Sequence, residues 1–172
     1  KSKEAIRRAV MAGAETIEHG DFIDVELGQL MKANNVTYMP TIAAVDVISQ
    51  YRGWKKGVTD PPSNIINKRK SFKEAIASGV TIGMGGDVGV FPHGDNALEM
   101  ELMVEYGLPI MDALKAATSV NARAFHLEDS LGNLKPGYIA DVIVVEGDPS
   151  KNISDMKKVK FVMKEGVVYL SK

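Results

Sequence analysis

Val80-Thr81-Ile82-Gly83-Met84-Gly85-Gly86-Asp87, residues 80–87, is a short apolar run that opens into two glycines and a carboxylate. Its β-branched start favours a strand, and its glycines mark where the strand gives way to a loop. Just upstream, residues 64–78 repeat apolar residues at helical spacing. Ile65, Ile66, Phe72, Ala75 and Ile76 form the apolar side, and Gly79 stops the helix. Two similar strand runs lie further back, Thr16-Ile17-Glu18-His19-Gly20 and Val36-Thr37-Tyr38-Met39-Pro40-Thr41. Helical spacing over residues 24–34 separates them, and an amphipathic helix over residues 3–12, ending at Gly13, precedes both. Residues 42–63 begin apolar and then carry Gly53, Gly57, Pro61 and Pro62, which predicts a helix followed by a long loop. A long connection inside a compact unit is more often functional than idle. Helix and strand alternate three times, which predicts parallel strands joined by helical crossovers, an α/β layout.

Two more helices are expected, near residues 96–106 and 109–126. The character then changes. Residues 139–146 (IADVIVVE) and 159–170 (VKFVMKEGVVYL) are rich in Val and Ile, with turn signals at Gly147-Asp148-Pro149 and Glu165-Gly166. They predict antiparallel β-structure. The expected division is an α/β unit over residues 1–130 and a smaller β unit over residues 131–172.

The 172 residues suffice for a real core, and 45% hydrophobic with 25% charged residues is ordinary for a globular protein. A net charge of -1 offers no footprint for nucleic acid or an anionic membrane. No apolar run approaches the roughly 20 residues that span a bilayer. Without cysteine, thiolate metal sites are excluded, so any metal is held by Asp, Glu or the three histidines, His19, His93 and His126. No apolar signal-peptide region follows Lys1-Ser2-Lys3-Glu4, and a cytoplasmic location is expected. Helical spacing begins at once, at Ala5, Ile6, Ala9 and Val10, as in a fragment of a longer chain.

Two of the strand runs end in residues able to do chemistry, one in His19 and the other in Asp87. In parallel α/β folds, sites form at the C-terminal ends of the strands. Imidazole nitrogen and carboxylate oxygen are suitable ligands for Zn²⁺. An aspartate beside such an ion could take a proton from the bound water. Each signal also has a plain reading: His19 as a satisfied structural residue, and Gly85-Gly86-Asp87-Val88-Gly89 as a turn. On the residues alone, metal site and plain readings stand about even.

His93, in Phe91-Pro92-His93-Gly94-Asp95-Asn96, lies on a loop leaving the same strand end, where it contacts substrate or simply faces solvent. Tyr38 points either into the site or into the core. His126 reads as a helix C-terminal residue favoured by the macrodipole. Lys157-Lys158 and Lys68-Arg69-Lys70 read as solvated faces. Gly83-Met84-Gly85-Gly86-Asp87 loosely resembles a phosphate-binding glycine loop, but it lacks the G-x-x-x-x-G-K-[ST] pattern.

Three stretches carry a resemblance: AIRRAVMAGAETIEHG; GGDVG with HGDNALEMELMVEYGLPIMDALKAATSVNARAFHL; and LGNLKPGYIADVIVVEGDPSKNI. Together they resemble the amidohydrolase superfamily, and within it the imidazolonepropionase-like and Xaa-Pro dipeptidase branch. The resemblance covers nearly the whole chain. It implies part of a (β/α)₈ TIM barrel, strands six to eight with their helices, beside part of a small β-sandwich. It implies one or two divalent metals, commonly zinc. His19 then corresponds to a histidine ligand after strand six, and Asp87 to the aspartate after strand eight that binds metal and shuttles a proton. His93 and Asn96 fall on the substrate-side loop, and on the site reading Tyr38 joins them. Gly86 stands where the family more often has Thr, which removes a hydroxyl but no ligand. The family's His-x-His pair, its bridging ligand and its remaining histidine belong to strands upstream of Lys1, and three strands cannot close an eight-stranded barrel.

The first expectation is therefore a parent enzyme hydrolysing C–N bonds of small dipeptides or related amides. The second is a non-catalytic fragment or remnant, held by another copy or by the missing barrel half.

Overall fold

The computed structural model describes residues 2–171. Three short strands, Thr16–Glu18 (β1), Thr37–Met39 (β2) and Thr81–Ile82 (β3), pair in parallel in the order β1-β2-β3. Thr16 lies opposite Thr37, and Thr37 opposite Thr81. Pairing runs one residue past β1 and β3. His19 N–H donates to the Met39 carbonyl and Gly83 N–H to the Tyr38 carbonyl, each at 2.9 Å. All three residues of β2 are buried, whereas Glu18 and Thr81 on the flanking strands are exposed. A central parallel strand is covered on both faces, which is why its sequence shows no alternation.

Helices Lys3–Met11 (α1), Val25–Ala33 (α2), Ile42–Tyr51 (α3) and Ser63–Ser78 (α4) connect and flank the strands. Local chemistry sets their ends. Ser2 Oγ accepts from Ala5 N–H at the start of α1, and Asp24 Oδ1 accepts from Leu27 N–H at the start of α2. Gly79 ends α4 in the left-handed conformation, with φ 70°. α2 packs on α1 and α4, and α3 packs on α4. Tyr38, Phe72 and Tyr106 form an aromatic line through the core, with successive ring centroids 6.5 Å apart.

The apolar side expected of α4 is only partly right. Ile65, Phe72 and Ala75 are buried, but Ile66 is half exposed. Its place in the stripe is taken by Lys68, three residues after Ile65 and four before Phe72, which is fully buried. The expectation of a solvated Lys68-Arg69-Lys70 face is corrected at its first residue.

After the loop that leaves β3 come Ala97–Glu105 (α5), Ile110–Lys115 (α6) and Asn121–Ala124 (α7). The single helix expected over 109–126 is interrupted at Ala116–Val120 by a π-helical turn, which resets which face Asn121 presents. A second sheet, Val142–Val145 (β4), Val159–Lys164 (β5) and Val167–Ser171 (β6), is antiparallel in the order β4-β5-β6. Glu165-Gly166 is a tight turn as expected, with φ 52° and 79°. Gly147-Asp148-Pro149 instead opens a longer connection containing a 3₁₀ turn, Ile153–Lys157. No helix among the described residues is long and apolar enough to cross a membrane.

Candidate active site

The three parallel strands deliver their chains to one end of the sheet, and there the backbone turns left-handed at three residues that are not glycine. His19 follows β1 directly with φ 68°, Thr41 lies two residues past β2 with φ 48°, and Asp87 lies five past β3 with φ 58°. Positive φ is uncommon outside glycine and a genuine outlier for a β-branched residue such as Thr. Strain of this kind collects at functional sites. His19 and Asp87 leave strands separated by β2, so their strand ends are two inter-strand spacings apart, roughly 10 Å.

His19 is half-buried and held from several sides. Its Nδ1 lies 2.7 Å from Thr41 Oγ1. Its carbonyl accepts the Tyr38 hydroxyl at 2.9 Å and the Lys68 ammonium. Lys68 also pairs with Asp21 Oδ1 at 2.8 Å, and its ammonium lies 6.0 Å from the Tyr38 ring centroid. The Ser71 hydroxyl reaches the Gly20 and Ile23 carbonyls at 2.9 and 3.0 Å. Gly20 itself has φ 53°, and a Cβ there would lie 2.5 Å from Tyr38 Cε2 and 2.6 Å from Ile23 Cδ1. Only glycine fits this turn without displacing the core.

Asp87 is exposed, on a loop braced from beneath. Phe91, 5% exposed, packs against the preceding Gly86. The Asn121 carboxamide clasps the backbone of Met84, accepting its N–H at 3.0 Å and donating to its carbonyl at 2.7 Å. His93 and Asn96 are exposed on the same loop, and Asn96 Oδ1 accepts from Gly94 N–H at 3.3 Å.

The sequence-derived residues therefore divide. His19 and Asp87 come to the same end of the sheet, and His93 and Asn96 lie on the Asp87 loop. Tyr38 does not face the site: it is fully buried, and its hydroxyl bonds the backbone behind His19. Its large apolar ring is drawn into the core, so the expected substrate contact is corrected to support of the His19 turn. His126 sits at the C-terminal end of α7 as expected, one residue past the cap Phe125, with its N–H on the Arg123 carbonyl at 3.1 Å. Its φ is 57°, and its Nε2 is 2.9 Å from Glu15 Oε2, which raises the imidazole pKa through the hydrogen bond and charge of that carboxylate. His126 and Glu15 line a cleft of about 730 Å³ at the opposite end of the sheet, with Asn35 and Gly79. Sites in parallel α/β folds lie at the C-terminal strand ends, so that cleft is not the candidate active site.

Sequence reasoning passed over Lys68, Thr41, Asn121 and Glu99. Lys68 was detectable from its place in the apolar stripe of α4. Glu99 lies on α5, is fully buried, and accepts the N–H groups of Ile42 and Ala43 at 2.9 and 2.7 Å. Burial pushes its carboxyl up to about 7, against those two hydrogen bonds and the charge of Lys68. Nothing in local spacing marks that long-range contact.

As metal donors, the His19 imidazole and Asp87 carboxylate have suitable chemistry, and engagement of Nδ1 by Thr41 leaves Nε2 of His19 for a ligand role. Among the described residues no group of three His, Cys, Asp or Glu gathers at one point. Two donors do not complete a metal site, so any ion held here would need further donors from elsewhere.

The amidohydrolase family model matches residues 1–169. Ochratoxinase from Aspergillus niger is 32% identical over 179 residues, covering 97% of this chain and 36% of the relative. The crystal structure of a Xaa-Pro dipeptidase with methionine bound in its active site superposes with TM-score 0.87 at 36% identity, over 98% of this chain and 43% of that one. The A. niger ochratoxinase structure superposes with TM-score 0.83 at 30% identity, over 99% and 40%. The chain thus spans well under half the length of these relatives. A family match over nearly every residue means that this chain belongs to the amidohydrolase family.

Proposed function

We propose that the protein carrying this chain hydrolyses C–N bonds, in small dipeptides of the Xaa-Pro kind or related amides. In this reading β1, β2 and β3 are strands six to eight of a (β/α)₈ barrel. Residues 1–130 belong to that barrel, and residues 131–172 add strands to a composite sandwich. His19 and Asp87 are two donors to a divalent metal site, with Zn²⁺ the expected ion. The observation that carries the reading is the common exit of His19 and Asp87, both left-handed, from one end of a parallel sheet. The names of the similar proteins, a Xaa-Pro dipeptidase and an ochratoxinase, support the choice of an amide substrate.

A bound divalent ion would supply Lewis acidity toward a carbonyl and a water acidified toward neutral pH. The residues of this chain do the rest. Asp87 accepts the proton of the attacking water and passes it to the leaving nitrogen. Its exposure on a braced loop lets it reach substrate while the backbone stays fixed. His93, exposed on the same loop, binds substrate or steadies the developing oxyanion, with Asn96 beside it.

The deciding experiment is hydrolysis of Xaa-Pro dipeptides and N-acyl amides by the full-length protein and its Asp87→Asn variant. The amide cannot take the proton, so kcat is expected to fall by a factor of at least ~10². An undiminished rate would sink the assignment of Asp87. A second reading is favoured by the absence of a three-donor cluster among the described residues. Here the chain is a non-catalytic piece, held by another copy or by the remaining barrel strands. Zinc analysis with light scattering separates the two: stoichiometric zinc with turnover removes the second reading, and a metal-free, inactive and associated chain supports it.

A further inference from the structure

α3 begins in an unusual way. Its N-cap residue, Thr41, makes no side-chain cap bond, although a Thr there ordinarily accepts from the second or third helical N–H. The cap comes from α5 instead. Glu99 Oε1 accepts Ile42 N–H at 2.9 Å and Oε2 accepts Ala43 N–H at 2.7 Å. Two of the orphan donors of α3 are thus satisfied by a fully buried carboxylate 57 positions away. Thr41 is left with a strained backbone, φ 48° and ψ 47°, and with its hydroxyl 2.7 Å from His19 Nδ1. A β-branched residue holds that conformation only where its neighbours over-determine it.

The hydrogen bond at one ring nitrogen of a ligating histidine decides which tautomer the ring adopts. We propose that Glu99 is a positioning residue for His19, acting through Thr41. By capping α3 in place of the Thr41 side chain, it frees that hydroxyl to accept the Nδ1–H of His19, and so holds the ring in the tautomer whose Nε2 carries the lone pair. The consequence for hydrolysis rests on the function proposed above; the tautomer itself does not. The coupling runs from α5, across the N-terminus of α3, to the turn after β1, and involves no residue that would touch substrate.

Long-range ¹H–¹⁵N correlation of the imidazole rings in the ¹⁵N-labelled full chain reads this directly, at alkaline pH where the rings are neutral. His93→Gln and His126→Gln assign the three rings. His19 is expected as the Nδ1–H tautomer in the unmodified chain and in Thr41→Ser, which keeps the hydroxyl. In Thr41→Val and Glu99→Gln, the Nδ1–H share is expected to fall from dominant to minor, toward the Nε2–H form that free neutral imidazole of histidine prefers. The His126 ring, at the other end of the sheet, should not move, and it reports an intact fold. If Glu99→Gln does not fold, Glu99→Asp withdraws the carboxylate by one methylene and is expected to shift the ring the same way. An Nε2–H ring in the unmodified chain, or a ring unchanged by folded Thr41→Val, overturns the proposal. A ring unchanged by a folded Glu99 variant overturns the part played by Glu99. Because the readout needs neither metal nor turnover, loss of the hydrolase reading would leave the result standing, and the reverse holds too.

Discussion

His19 and Thr41 meet side chain to side chain, Nδ1 to Oγ1 at 2.7 Å, across the ends of two neighbouring strands, and both hold left-handed backbone. Parallel pairing of β1 and β2 creates the relationship. His19 N–H donates to the Met39 carbonyl, which ties the first turn to the last residue of the middle strand. The strain at these positions is sustained by buried donors and acceptors behind them, and each of those can be tested singly.

Gly20→Ala is expected to damage the His19 turn more than any other one-methyl change near it. The new Cβ would meet Tyr38 and Ile23 at 2.5–2.6 Å while φ stays at 53°. Overpacking and left-handed strain together predict about 3 kcal/mol of lost stability. Thermal unfolding should show a Tm lowered by about 6–12 °C. A melt within about 2 °C of the parent would mean that the turn relaxes freely.

Tyr38→Phe and Lys68→Met should differ sharply, although both remove a donor to the His19 carbonyl. Tyr38→Phe leaves that carbonyl accepting from Lys68, so about 1 kcal/mol is expected. Lys68→Met leaves the Asp21 carboxylate without a buried ammonium at 2.8 Å, so about 3 kcal/mol or more is expected. Denaturant titration of both variants checks the order. Equal losses would show that the ion pair with Asp21 adds nothing beyond one hydrogen bond.

Asn121→Ala unpairs both backbone groups of Met84, which lies between β3 and Asp87. About 2 kcal/mol of stability should be lost. Amide hydrogen exchange should quicken at Met84 before it does in β2. Unchanged exchange at Met84 would show that the clasp does not hold the loop in solution.

Glu99 gives the fold an unusual pH dependence. Its carboxyl is pushed from 4.5 to about 7, chiefly by burial. Between those values the folded chain keeps the proton and the unfolded chain releases it, so this group's contribution weakens as pH rises. The loss begins near 4.5, is complete above about 7, and amounts to about 3 kcal/mol. Urea midpoints of the parent and Glu99→Gln, compared at about pH 5 and about pH 8, isolate it from other titrations. The difference should move in favour of the Gln variant at the higher pH. A difference equal at both values would place the Glu99 carboxyl in its ordinary range.

The sequence by itself determined the parallel strands, the helices between them, the later antiparallel strands, and the placing of His19 and Asp87 at strand ends. Those features follow from local spacing: apolar residues recur at helical or strand periods, and glycines mark where strands give way to loops. Only the tertiary structure decided what faces what. The sequence leaves Tyr38 open between site and core because its neighbours come from other elements, whereas Lys68 reads as solvated only while the α4 stripe is overlooked. A tyrosine near a strand end looks the same whether it meets substrate or Phe72. The capping of α3 by Glu99 was not legible at all. It joins residues 57 apart, and no local pattern encodes a hydrogen bond that exists only once α3 and α5 have packed.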